Sequence, residues 1–539
     1  MPQALTLLMA QINPTVGAIE ANADKIMKII QIHQEQHDVI IFPELALTGY
    51  PPEDLLFRTE LFTHVNKALQ KIQAITADCH VIVGHPSLEE AGCYNSASVF
   101  YKGRRLELYH KQLLPNYGVF DEKRYFTPGK PATTLFSIKG TVFGLCICED
   151  LWGLGPVDDL IAAGVEILLC INASPFDKNK YAKREKILRQ YAQRGLATIY
   201  VNQVGAQDEL VFDGQSMAMD AQSEICARAP AFQEHYQTVT IKNKKLQSVV
   251  APLLAKEALL YQALMCGLRD YVEKNHFPGI ILGLSGGIDS ALTLAIAVDA
   301  LGPQRVKAVM MPSRYTAAMS NEDALQQLQT MQVLHHYTLP IEPAFHALLN
   351  TLEPAFTGYA PDITEENLQA RIRGLLLMAL SNKTGFMVLT TSNKSETAVG
   401  YATLYGDMAG GFSVLKDVLK TEVYALARYR NTLSRVIPER VIQRAPSAEL
   451  ALNQTDQDSL PDYAILDAII ALYMEQNLDA EQIIQQGYSK DIVHKVIKLI
   501  VRNEYKRRQA PPGIKISACA FGPDWRYPIT SGFLTRQRP

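Results

Sequence analysis

Short apolar runs separated by longer stretches of helical spacing dominate the chain. In the first half the runs fall at residues 5–12, 39–42, 81–83, 96–101, 142–147, 167–171, 198–201 and 216–219. Each has the length of a strand. Stretches around residues 22–36, 62–77 and 183–194 predict helices between some of them. This alternation predicts an α/β sandwich.

The polar run Lys242-Asn243-Lys244-Lys245 and then Pro252 interrupt the pattern, after which Leu253, Leu260, Leu264, Leu268 and Tyr271 recur at helical spacing. We place one domain at residues 1–245, a linker at 246–260 and a second domain at 261–539. Beyond the break, the apolar run Ile280, Ile281, Leu282, Leu284 and further runs at 306–311, 336–341 and 387–391 alternate with helices. That is the pattern of a doubly wound, Rossmann-like parallel sheet, whose ligands bind at the carboxyl edge of the strands.

At 539 residues the chain is too long for one ordinary core. With 52 basic against 55 acidic residues, its net charge of −3 gives no global basic field to draw nucleic acid. Its 8 cysteines are scattered without a Cys-x-x-Cys, against a zinc site or a disulfide framework and in favour of a reducing cytoplasm. No apolar run approaches the roughly 20 residues that cross a bilayer, so no membrane partner is expected.

Candidate chemistry begins with Gly283-Leu284-Ser285-Gly286-Gly287-Ile288-Asp289-Ser290, which joins an apolar run to a helix start through adjacent glycines. Glycine permits positive φ and close backbone approach, so successive N–H groups converge on an anion at the positive end of the helix. Ser285 and Ser290 add hydroxyls, and Asp289 adds a carboxylate able to hold Mg²⁺. The spacings of a P-loop NTPase and of a dinucleotide fold are both missing.

In the first half, Glu44 follows Val-Ile-Ile-Phe-Pro, Lys111 follows Tyr-His, and Cys148 follows Gly-Leu-Cys-Ile. Each stands at a predicted strand end, where side chains from separate strands converge. Glu44 can take a thiol proton, Cys148 can attack a carboxamide carbon, and Lys111 can favour the thiolate and the tetrahedral oxyanion. Cys146 is the rival nucleophile, but it lies within the strand run and reads as core.

These motifs carry two resemblances. The Gly283–Ser290 string resembles the pyrophosphate loop of the ATP pyrophosphatases, and Glu44, Lys111 and Cys148 resemble the triad of the nitrilase, or carbon–nitrogen hydrolase, superfamily. With Thr390-Thr391-Ser392-Asn393-Lys394-Ser395-Glu396, the glycine-rich 401–411 stretch and Lys420, the two halves together resemble the glutamine-dependent NAD synthetases over nearly the whole chain.

The resemblance implies an α-β-β-α nitrilase-like glutaminase ahead of a doubly wound ATP-pyrophosphatase domain. It implies Tyr117, Ser174 and Lys180 as glutamine contacts, although Lys178 and Lys183 belong to the same basic cluster, and Glu122 as the acid that orients Lys111. On the other side it implies Thr391 and Lys420 at ATP, and Glu396 at Mg²⁺ or substrate. Asn367, Arg371, Tyr401, Asp407 and Lys506 then meet deamido-NAD. By helical period alone, Asn367 and Arg371 also read as a solvated polar stripe.

The implied reaction is ATP-dependent amidation of deamido-NAD by ammonia from glutamine, with Mg²⁺, in a homo-oligomer. Another amidase-fed ATP pyrophosphatase, an RNA-modifying thiolase and a nucleotide-sensing scaffold without catalysis are the alternatives, the last of which measurable turnover would end. The thiolase needs a sulfur-donating cysteine near the loop and a basic RNA face, and neither Cys266 nor the charge balance supplies them.

Overall fold

The computed structural model describes residues 4–447, 449–451, 456–458 and 460–533. The chain divides into two compact units, Met1–Ala255 and Lys256–Pro539.

The first unit carries strands β1 (Leu5–Gln11), β2 (Val39–Ile41), β3 (His80–Glu89), β4 (Gly92–Tyr101), β5 (Arg104–His110), β6 (Leu135–Ile138), β7 (Thr141–Ile147) and β8 (Ile167–Asn172). They continue with β9 (Ala197–Asn202), β10 (Val204–Gln207), β11 (Leu210–Asp213), β12 (Met217–Met219), β13 (Ile225–Arg228), β14 (His235–Lys242) and β15 (Lys245–Gln247). One sheet runs β15-β14-β1-β2-β3-β4-β5 and another β13-β12-β9-β8-β7-β6.

Strand alternation sorts the side chains into layers. Leu7, Met9, Val39 and Ile41 of the first sheet pack with Leu145, Ile147, Leu169 and Ile171 of the second. Leu8, Ala10 and Ile40 face the other way, onto the helices Ile19–His33 and Thr59–Ile75. Cys146, Leu168 and Cys170 turn outward beneath the helices Pro156–Ala162 and Lys180–Ala192. The order helix, sheet, sheet, helix is the expected sandwich, and Cys146 belongs to its outer core.

The second unit holds β16 (Ile280–Gly283), β17 (Val306–Met310), β18 (His336–Thr338), β19 (Met387–Thr390) and β20 (Phe412–Ser413) in the order β18-β17-β16-β19-β20. All four pairings are parallel. The helix Ile363–Thr384 lies against β16 and β19, burying Leu377 with Ile281, Val309 and Val388. The order reverses at β16, so the loops after β16 and β19 diverge and leave a crevice between them.

One sequence expectation is corrected here: the run at 336–341 yields only the exposed edge strand β18. The helix Ile363–Thr384, which carries Asn367, is capped by Asp362, whose Oδ1 accepts from Thr364 N–H at 2.8 Å. No helix among the described residues is long and apolar enough to cross a membrane.

Candidate active sites

Parallel pairing sets the first site. Ile147 pairs with Ile171 and Asn172 with Asn202, so β7, β8 and β9 end side by side. Cys148 is the first residue beyond β7 and Ser174 lies two beyond β8. Cys148 has φ +45°, a left-handed conformation that costs on the order of 1–3 kcal/mol for a non-glycine residue and turns the thiol out of the strand.

Lys111, the first residue after β5, is 1 % exposed, and its Nζ donates to Glu44 Oε1 at 2.7 Å and to Glu122 Oε1 at 2.8 Å. Glu44 also accepts from Asn95 Nδ2 and from the backbone N–H of Ala173, each at 2.8 Å. The second bond ties the loop after β2 to the end of β8. Glu122 accepts from Tyr50 OH at 2.8 Å.

Burial opposes the charge on Lys111, yet Glu122 and Glu44 hold its pKa well above the ordinary lysine value. Burial pushes Glu122 up to about 7 against the pull of Lys111. It also drives the Cys148 thiol well above its usual range, with Glu44 adding to the rise and Lys111 opposing it. Cys148 is therefore held as a thiol beside the carboxyl of Glu44 and the ammonium of Lys111.

The other expected first-unit residues lie close by. Tyr117 OH donates to both carboxylate oxygens of Glu149 at 3.1 Å, next in sequence to Cys148. Lys180 Nζ lies 4.9 Å from the centre of the Trp152 ring, and burial lowers its pKa. Ser174 is held by Arg184, whose guanidinium reaches Ser174 O at 2.7 Å and Asp213 at 2.8 and 2.9 Å.

Sequence reading missed Arg184 and the work of Asp150. Asp150 accepts from Tyr109 OH at 2.8 Å and from the N–H groups of Gln112, Leu113 and Ile147 at 3.0, 2.8 and 3.1 Å. It thereby clamps the segment after Lys111 to the Cys148 turn. Its acidic place in Cys-Glu-Asp was the visible signal, whereas Arg184 sat unremarked in a basic helix.

The second site occupies the crevice between β16 and β19, a cavity of about 270 Å³. Gly283, Leu284, Ser285, Gly287, Ile288, Asp289 and Ser290 line it, with Thr391, Glu396, Tyr401, Asp407 and Lys420. Gly286 stands back at φ +78°, and an added Cβ there would lie 2.2 Å from Ser320 O. Ser290 Oγ sits 3.1 Å from Ser285 Oγ and accepts from Ser285 N–H at 3.3 Å, closing the loop on the start of the helix Ile288–Leu301.

Lys420 Nζ bridges Asp289 Oδ2 at 2.6 Å and Glu396 Oε1 at 2.9 Å, while Asn393 Nδ2 donates to Asp289 Oδ1 at 2.8 Å. Burial raises Glu396 to about 7 despite Lys420, and burial raises Asp407 to about 6.

Among the described residues no group of three or more His, Cys, Asp or Glu side chains could hold a metal alone. Asp289 and Glu396, two hard carboxylates on one cavity wall, nevertheless suit Mg²⁺, which takes one or two carboxylates and completes its shell with phosphate and water.

Three expected residues stand outside this cavity. Asn367 Oδ1 accepts from Thr403 Oγ1 at 2.8 Å, and the exposed Arg371 donates to Leu404 O at 3.2 Å. Their helix instead turns Ala370, Arg373, Gly374 and Leu377 to the cavity. Lys506 donates to Gly400 O at 2.9 Å and Ala402 O at 2.8 Å, beside a smaller cavity. Arg373 and Arg444 are cavity cations that sequence reading did not single out.

Residues 7–250 match the family model of carbon-nitrogen hydrolases, and residues 260–510 that of NAD synthase. Fold and sites thus define a carbon–nitrogen ligase that carries an amidase-type unit on the same chain. The chain is 47 % identical to the glutamine-dependent NAD(+) synthetase of Xylella fastidiosa (strain 9a5c), over 99 % of this chain and 100 % of that protein. With the Acinetobacter baylyi enzyme of the same description it shares 48 % identity over 98 % of this chain and 99 % of the other. The chain belongs to the glutamine-dependent NAD(+) synthetase family.

A solved structure of the Acinetobacter baumannii glutamine-dependent NAD+ synthetase, in complex with ADP, is 46 % identical with TM-score 0.80, covering 98 % of this chain and 99 % of that one. The Cytophaga hutchinsonii enzyme, at 23 % identity and TM-score 0.85 over 99 % of both chains, shares the fold.

Proposed function

We propose that residues 1–245 hydrolyse glutamine and that residues 261–539 use the ammonia to convert deamido-NAD to NAD+ at the expense of ATP. The observation that carries this is the buried Lys111 between Glu44 and Glu122 beside Cys148, on the same chain as a phosphate loop whose Asp289 is paired with Lys420.

In the first half-reaction, Cys148 Sγ attacks the carboxamide carbon as Glu44 takes the thiol proton. Lys111 and a backbone N–H answer the charge on the oxygen. The C–N bond breaks, the leaving nitrogen takes the proton from Glu44, and water then releases glutamate from the thioester. Tyr117, Ser174 and Lys180 hold the amino-acid end of glutamine.

In the second, the nicotinate carboxylate displaces pyrophosphate from the α-phosphorus of ATP, and ammonia then displaces AMP from the mixed anhydride. The N–H groups of Gly283 to Ser290 receive the phosphates, with Thr391 and Lys420 beside them. Asp289 and Glu396 would hold Mg²⁺, which when bound neutralises phosphate charge. Tyr401 and Asp407 face the dinucleotide, with Lys506 behind them. Asn367 and Arg371 act through the segment they hold, via Thr403 and Leu404. The eight free cysteines suit a reducing cytoplasm. Homo-oligomeric assembly belongs to the same reading.

The test is NAD+ formation from deamido-NAD, ATP and Mg²⁺ with glutamine or with ammonium, in wild type and Cys148→Ala. The variant is expected to lose the glutamine-driven reaction and keep the ammonium-driven one. A wild type that makes NAD+ from neither source overturns the proposal.

A further inference from the structure

Three cations line the large cavity of the second unit among its described residues: Arg373, Lys420 and Arg444. Two of them are engaged. Lys420 bridges Asp289 at 2.6 Å and Glu396 at 2.9 Å. Arg444 donates to Ser320 Oγ at 2.8 Å and to Gly286 O at 3.2 Å, with Glu449 at 3.5 Å. Arg373 differs: its Nε donates to Met311 O at 3.1 Å, and no carboxylate among the described residues lies within ion-pair distance of it. That one bond orients the guanidinium plane and leaves both Nη groups for the cavity.

Burial lowers the pKa of Arg373, while Glu449 and Glu342 oppose the fall from farther off. Both carboxylates have nearer partners: Glu449 accepts from Ser320 Oγ at 2.6 Å, and Glu342 accepts from Arg314 Nη2 at 2.7 Å. A cation partly removed from water without a counter-charge is costly, and a bound anion removes that cost. Asp289, Glu396, Asp407, Glu449 and Asp456 line the same cavity, so a phosphate entering it needs a cation that these acids have not taken up. The fold sets the place of that cation. The helix Ile363–Thr384 lies against β16 and β19, and Met311 follows β17, so Arg373 reaches across the carboxyl end of β16, where the phosphate loop begins. Gly374 lets the helix sit close there, since an added Cβ would lie 2.7 Å from Gly406 O.

We propose that Arg373 receives the α-phosphate of ATP and, once pyrophosphate has left, the AMP half of the mixed anhydride. The assignment rests on the amidation reaction proposed above and names the group that meets charge at the reacting phosphorus. Lys420 and Arg444 are tied to the phosphate loop through Asp289 and Gly286, and so stand with the leaving pyrophosphate. Arg373 is anchored instead on the segment after β17 and stays with the nucleotide that remains. As the carboxylate oxygen bonds to the α-phosphorus, the bond to the pyrophosphate oxygen breaks and its electron pair leaves with pyrophosphate. The two non-bridging oxygens keep their charge throughout, and the planar pair of Nη groups matches them.

The test begins with thermal melts of the full chain in Mg²⁺, with and without AMP or inorganic pyrophosphate, for wild type, Arg373→Met and Arg373→Lys. Without ligand the methionine variant is expected to melt close to wild type, because no carboxylate loses a partner. AMP is expected to stabilise wild type and not the methionine variant, whereas pyrophosphate stabilises both. In ammonium-driven NAD+ formation the methionine variant is expected to lose about 100-fold in kcat, the usual effect of removing one donor from a charged transition state. Its KM for deamido-NAD stays unchanged. Lysine recovers part of the loss, since it keeps the charge without the fork.

AMP that stabilises wild type and Arg373→Met alike, or stabilises neither, overturns the assignment. Equal loss of stabilisation by AMP and pyrophosphate overturns it as well, because it marks a distorted cavity. A rise in the KM for deamido-NAD with kcat unchanged gives the arginine to the nicotinate carboxylate instead. The melts need no turnover: a wild type that makes no NAD+ while the AMP melts behave as expected overturns the amidation reading and upholds the phosphate contact.

Discussion

Lys111 keeps its charge where burial alone would remove it, because two carboxylates share one ammonium. Of these, Glu122 yields: its carboxyl keeps a proton to about 7 in the fold, against an ordinary 4.5. Folding therefore takes up a proton between those values, so the contribution is fully present below 4.5 and lost as pH rises through about 7. Glu122→Gln is neutral throughout, and thermal melts at acidic and neutral pH are expected to differ less in the variant than in wild type. Glu44 and Cys148 were legible because each is a reactive side chain placed just after an apolar run, whereas Lys111 was marked only by the Tyr-His that precedes it. Arg184 was not, because its partner Asp213 lies 29 positions away and nothing local distinguishes it from its basic neighbours.

At the scale of elements, the apolar runs located strands better than helix periodicity located helix ends. The helices expected at 22–36, 62–77 and 183–194 run Ile19–His33, Thr59–Ile75 and Lys180–Ala192, each beginning three residues early. A first turn is set by backbone geometry before the apolar stripe starts, and none of these three has a side-chain cap bond to mark it. Strand β5, Arg-Arg-Leu-Glu-Leu-Tyr-His, was missed because it is a charged edge strand, as edges commonly are. Gly84 in β3 was equally silent. A Cβ there would lie 2.5 Å from Leu45 N and Pro43 O and 2.8 Å from Glu44 Cα, so the glycine lets the loop that carries Glu44 settle on the sheet. Gly84→Ala is expected to displace Glu44 and lower glutamine hydrolysis by about 100-fold, the usual consequence of an ångström-scale misplacement. Assay of glutamate release against ammonium-driven NAD+ formation, which the variant retains, checks it.

At the scale of the molecule, each unit carries its own sheet, its own core and its own reactive cluster. The sequence motifs likewise fall in separate halves of the chain. Gly286→Ala meets both positive φ and the Ser320 carbonyl, so the phosphate loop is expected to shift. The variant should lose NAD+ formation from glutamine and from ammonium alike, by about 100-fold, while its first unit still releases glutamate. The opposite selectivity of Cys148→Ala makes the pair a diagnostic for where any further variant acts.

Lys394 lies wholly buried and donates to Glu475 at 2.9 Å, and to Ser517 Oγ and Cys519 O at 2.8 Å each. Ser517 comes 123 residues after it in the sequence. At the usual pace of roughly 5–20 residues per second, a ribosome finishes the lysine about ten seconds before its last partners exist. The carboxylates that neutralise it, Asp417 at 2.8 Å and Glu475, are made earlier, so what the nascent synthetase half still lacks is two neutral acceptors. Closure of this core is then a late event of biogenesis, and a polypeptide cut short before residue 517 leaves a buried ammonium two hydrogen bonds short.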